Sequence, residues 1–158
     1  MTNEIQSQHF NSALINLLKE TFEQVEGYYL DRNTSLFETL ADITAEEASI
    51  PVGGKCATLA AQVKHVAFYL DVVRQSMLEP DSPNADWGEI WRTVGKVTDL
   101  EWQAIQDELR TSYAAMIAIL SQAPAWPNEE EVGGAIAIVA HSAYHLGEIR
   151  QALCTLRP

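Results

Sequence analysis

Apolar residues recur at three- and four-residue steps along four long segments of the chain, and no stretch alternates with a sustained period of two. That spacing matches the turn of an α-helix, so an all-helical protein is expected. The first segment runs from about Ser7 to Glu26. Phe10, Leu14, Leu17, Leu18, Phe22 and Val25 make its apolar face, and Asn11, Asn16, Lys19, Glu20 and Glu23 its polar face. Gly27 is the expected stop. The second runs from about Thr58 to Leu78, with Thr58, Ala61, Gln62, His65, Tyr69, Val72, Val73 and Ser76 on one side and Lys64, Asp71 and Arg74 away from its centre. The third, from about Asp99 to Ser121, carries Trp102, Ile105, Leu109, Tyr113, Met116 and Leu120 on its stripe, with Asp99 as the expected cap. The fourth starts near Asn128 and runs to about Thr155. Three consecutive glutamates fill its first turn, where the helix dipole favours anions. Ile138, His141, His145, Ile149, Ala152 and Leu156 share its inward face, and Arg150 is expected to point outward.

The connections carry their own signals. "TSLFETLADIT" reads as a short helix capped by Thr34 or Ser35, and "TAEEAS" as a helical turn opening on Thr44. "IPVGGK" is loop chemistry. Residues 79 to 97 hold two prolines and two glycines, a connection longer than neighbouring antiparallel helices need. A crossover is expected there, with Trp87, Ile90 and Trp91 folding back onto the core. Four helices of about twenty residues with inward stripes make a four-helix bundle, and the long second connection argues against a simple up-down-up-down order.

Composition narrows the picture. A chain of 158 residues suits a single domain spanning 1–158, large enough to bury a core unaided. A formal net charge of -12, with ten Lys and Arg scattered among 22 acids, argues against nucleic acid and anionic membrane surfaces as partners. The opening "MTNEIQSQHF" lacks the pattern of an export signal, and no 18-residue apolar run is present, so a cytoplasmic location is expected. Cys56 and Cys154 are then expected to be free thiols.

"HSAYHLGEIRQ", residues 141 to 151, places His141 and His145 one helical turn apart on one face, a spacing that lets both imidazoles reach one metal ion. His65 lies on the inward stripe of the second segment, seven residues after Thr58, and His145 stands seven residues before Ala152. If those two helices are antiparallel, all three histidines share one level of the bundle. An apolar core gains little from three buried polar rings that all need partners. A shared divalent-metal site, for zinc or nickel, explains them better. His9 precedes the first stripe and reads as a surface residue. Glu148 could orient a ligand histidine, act as a base or be a rim acid. Tyr144 and Tyr69 could reach a metal-bound ligand or simply pack, and Gln62 could support a ligand from behind. Glu148 and Tyr144 are the candidate catalytic residues. Three protein ligands leave positions open, which suits catalysis better than a closed structural site.

"VKHVAFYLDVV" and "HSAYHLGEIRQAL", with His65 and His141 76 positions apart, resemble the DinB/YfiT-like family over nearly the whole chain. Glu148 stands where many relatives have Gln. The resemblance implies a four-helix bundle of up-down-down-up order with a long crossover between the second and third helices. It also implies a site for zinc, nickel or another divalent ion held by His65, His141 and His145. Relatives include thiol S-transferases that use bacillithiol, mycothiol or glutathione and a mycothiol-dependent maleylpyruvate isomerase, and they often form dimers. The expectation is therefore a metal-dependent enzyme that joins a low-molecular-weight thiol to an electrophile. Metal-dependent hydrolysis, and metal or small-ligand binding without turnover, are the alternatives.

Overall fold

The computed structural model of the chain describes residues 5–54, 56–79, 81–122 and 125–157. Met1 to Glu4, part of the opening stretch on which the expectation of no export signal rests, lie outside the described residues, as does Lys55 of "IPVGGK". Seven helices follow one another among the described residues: α1 (Ser7–Phe22), α2 (Leu36–Leu40), α3 (Ala45–Ala48), α4 (Leu59–Leu78), α5 (Glu89–Thr93), α6 (Asp99–Gln122) and α7 (Glu129–Leu156). There is no strand among them, only an isolated bridge from Pro51 to Thr58. The four long helices are those read from the apolar stripes. No helix of the described residues is long and apolar enough to cross a membrane.

Side-chain pairs fix the helix directions. Lys64 pairs with Glu108, and further along α4 Asp71 accepts from the Ser112 hydroxyl at 2.8 Å, so α4 and α6 run parallel. Gln62 faces His145 and His65 faces His141, so α4 and α7 run antiparallel. Phe10 and Asn11, early in α1, meet Trp126 just before α7, while Arg150 late in α7 donates to Thr39 of α2. Helices α1 and α7 are thus parallel, and the order is up-down-down-up. The parallel α4–α6 pair is what requires the long crossover. That segment is pinned on its return by Val97, whose N–H donates to Ser49 Oγ at 2.9 Å, and by the Thr58 hydroxyl, which donates to the Gly95 carbonyl.

The core is built from Leu14, Leu18 and Phe22 of α1, Val63, Val66 and Leu70 of α4, Leu109, Met116 and Leu120 of α6, and Ile138, Leu146 and Ile149 of α7. Burying each such side chain contributes about 1.5–3 kcal/mol. The stripe of α4 is wider than expected. Leu59, Val63, Val66 and Leu70 are fully buried, whereas Ser76, expected inward, is exposed. Helix α4 sits between two neighbours, so one row of residues packs into the core and the Gln62–His65–Tyr69 row turns toward α7.

Four local expectations change. Glu20, expected on the polar face of α1, is fully buried. Its Oε2 accepts from the backbone N–H groups of Glu26 and Tyr28, and its Oε1 from those of Tyr29 and Leu30, at 2.6–3.1 Å. The carboxylate gathers the following loop around itself, so α1 ends at Phe22 and not near Glu26. Gly27, with φ 93°, serves the turn over Glu20 instead of closing the helix. Asp99 is not the cap of α6. Thr98 is: its N–H donates to Glu101 Oε2 at 2.8 Å while its hydroxyl accepts from the Glu101 N–H. Arg150, expected to point outward, is half-buried against α2, where it donates to Thr39 Oγ1 at 3.2 Å. Of the shorter helices, α2 and α3 meet expectation, with Ser35 and Thr44 before them, each in a capping box, whereas α5 lies in a segment read only as a connection.

Candidate metal centre

His65 comes from the middle of α4, and His141 and His145 from consecutive turns of α7. A ligand atom from each lies within 4.8 Å of the other two. The Nε2 atoms of His65 and His141 are 3.2 Å apart. Two imidazole nitrogens bound at about 2.0–2.1 Å to one tetrahedral zinc ion sit about 3.3 Å apart, so the spacing is that of a ligand pair.

The third histidine is held from behind. His145 Nδ1 lies 2.7 Å from Gln62 Oε1 and 2.9 Å from Glu148 Oε2. Both partners are acceptor oxygens, which puts the ring proton on Nδ1 and leaves Nε2 with a free lone pair. The Tyr144 hydroxyl donates to Glu148 Oε1 at 2.6 Å, so both oxygens of Glu148 are engaged. Tyr144, Glu148 and His145 thus form a hydrogen-bonded chain along one side of α7.

His65 and His141 are held near a pKa of about 4, below the ordinary 6.5. Burial is the main cause, and the charge that His145 would carry is the next, with Glu148 opposing both. Burial lowers His145 as well, again opposed by Glu148. Neutral imidazole is the form that binds a metal ion. His65 Nδ1 is buried with no hydrogen-bond partner among the described residues. The donor set and its protonation fit a divalent ion. Among the described residues no Cys, Asp or Glu joins the three, so such an ion would keep open positions.

Aromatic rings flank the cluster. Tyr69 stacks on His141 with ring centroids 3.8 Å apart and 21° between planes. Trp91, on α5 of the crossover, places its ring 4.5 Å from His65, and Tyr144 meets His145 edge-on at 5.0 Å. The crossover therefore does fold back, as expected. Ile90 is buried, yet Trp87 and Trp91 remain exposed, Trp87 against Phe68 and Tyr69 and Trp91 against the histidines and not the core. That contact was not legible in the sequence beyond an aromatic residue in a connection. Cys56 and Cys154 are free, exposed and apart from the cluster, and His9 is exposed.

A family model described as the DinB superfamily matches residues 29–149, a span that holds all three histidines and Glu148. No curated protein and no solved structure matches the chain.

Proposed function

The chain belongs to the DinB superfamily, and from that premise we propose that it is a divalent-metal-dependent enzyme, with zinc or nickel held by His65, His141 and His145. Its reaction on this reading is the transfer of a low-molecular-weight thiol to a small electrophile. The observation that carries the proposal is the convergence of three imidazole ligands with no fourth protein ligand among the described residues. A bound divalent ion supplies the Lewis acidity that lowers the pKa of a coordinated thiol and holds it in place.

The chain's own residues have distinct tasks. Gln62 and Glu148 fix the tautomer and orientation of His145, the support that a ligand histidine needs. Tyr144 orients Glu148, and because both carboxylate oxygens are engaged, positioning suits Glu148 better than proton abstraction from water. Tyr69 and Trp91 exclude water from two sides of the cluster, which strengthens every electrostatic interaction inside it. The same reading has the protein work in the cytoplasm on small molecules, as a homodimer.

The test is metal analysis followed by turnover. Protein reconstituted with zinc or nickel is assayed with bacillithiol, mycothiol or glutathione against a model electrophile such as monobromobimane. Metal-dependent thiol consumption that disappears in His141→Ala is the expected result. Turnover of esters or amides but of no thiol would make the protein a hydrolase. One equivalent of metal with no turnover at all would make it a binding protein. Less than about a tenth of an equivalent bound would remove the metal site altogether.

A further inference from the structure

The seam between α4 and α7 does not end at the histidines. One turn beyond Tyr69 on α4 and one turn before His141 on α7 it opens into a cleft of about 500 Å³, walled by Val73, Met77, Trp126 and Ile138 and edged by Glu130 and Glu131. Val73 follows Tyr69 by four residues and Ile138 precedes His141 by three, so cleft and cluster share the same helix faces. The stacked Tyr69–His141 pair stands one turn along these faces from Val73 and Ile138. The volume lies within the range of small-molecule sites.

The chemistry of the walls is one-sided. The body of the cleft is mostly aliphatic and aromatic, Ser76 and Asn128 are its uncharged polar residues, and among the described residues its titratable lining is carboxylate, with no Lys or Arg. The helix dipole accounts for acids in the first turn of α7, but not for an apolar hollow opening beside them. We infer that the cleft binds the substrate's body: a small molecule with an apolar, ring-sized portion against Trp126, Val73 and Ile138, and a cationic amine at the Glu130–Glu131 end. A carboxylate in place of the amine meets two like charges on a chain of net charge -12. The description of the ligand as substrate rests on the proposed function, whereas the site and its preference for a cation do not.

Gly134 supplies the test. Gly134 lines the cleft, and a Cβ at this position meets nothing within 4 Å, so there is room to start a side chain there. Binding of phenethylamine, phenylpropanol and phenylpropionate is followed by the NMR shift of the Trp126 indole, in metal-free and zinc-loaded protein. Phenethylamine is expected to bind at least about tenfold more tightly than phenylpropionate, a difference of about 1.4 kcal/mol. Gly134→Phe is expected to abolish the shift while zinc stoichiometry is unchanged. The double variant Glu130→Gln, Glu131→Gln is expected to level the amine and the acid, and serves if Gly134→Phe does not fold. Equal or tighter binding of the acid by the native protein overturns the inference, as does unchanged binding by Gly134→Phe. Cation-selective binding without thiol turnover upholds the cleft and removes only the proposed reaction.

Discussion

His65 and His141, 76 residues apart in the chain, face each other through their Nε2 atoms at 3.2 Å. Only one proton can lie between two such nitrogens, and an ion in reach of both and of His145 makes all three rings useful at once. Each ligand should therefore be indispensable. His65→Ala, His141→Ala and His145→Ala are expected to weaken zinc binding more than about 100-fold, beyond the effect of losing an outer partner. Competition with a chromogenic chelator measures it. Near-native affinity in any one of the three would take that residue out of the ligand set.

The outer partners should matter less. Gln62→Ala and Glu148→Ala free His145 Nδ1 from its two acceptors, and each is expected to reduce zinc affinity by about 10–100-fold. Tyr144→Phe removes only the hydroxyl that orients Glu148, so its effect on affinity should be smaller than that of Glu148→Ala. Isothermal titration with zinc ranks the three variants. An order with Tyr144→Phe as the most damaging would mean that Tyr144 acts on the metal's ligands directly.

The metal-free protein should lose stability in mild acid. The folded state holds His65 and His141 near pKa 4, whereas the unfolded chain protonates them around 6.5. The unfolded state thus binds more protons between those values. This contribution to stability is intact above pH 6.5 and is lost as the pH falls toward 4. Thermal melts of metal-free protein across that window should show Tm falling with pH. His65→Phe should flatten the slope, and an equally steep slope in that variant would trace it to other groups.

Glu20 sets a second, more acidic limit. Burial alone would raise its carboxyl, but four backbone N–H donors outweigh burial and hold it at about 2, below its ordinary 4.5. Its stabilisation is complete above pH 4.5 and is lost as the pH falls through 2. Glu20→Gln loses the charge and half of the acceptor capacity, an expected cost of about 1–3 kcal/mol in urea denaturation. Hydrogen exchange at Tyr28, Tyr29 and Leu30 should accelerate in this variant. Unchanged protection there would show that the loop holds its shape without the carboxylate.

The parts of the fold that were legible in the sequence are those set by one periodic pattern. The stripes of α6 and α7 carry His141, His145 and the buried rows of Trp102 to Leu120 as expected. What escaped was set by pairing across distance. Glu20 looks like any surface acid on a helical wheel, because its four donors come from a loop six to ten residues later. Asp99 and Thr98 are both good caps in type, and only Glu101, reaching back to Thr98, decides between them. Arg150 is drawn in by a hydroxyl on a different helix. For the site, the three ligands could be matched by level within the bundle, but Trp91 could not, because a crossover has no period to place it.

The crossover also bears on when the site can exist. The three histidines lie on either side of the segment that makes α4 and α6 parallel, and two of them sit on α7, the last helix of the bundle. A chain that has folded only through α6 carries one of the three. Contacts this distant in sequence are closed late, since loop entropy must be overcome before they return any free energy. On the proposed reading, the three imidazoles would meet around one ion only once α7 has docked in register against α4.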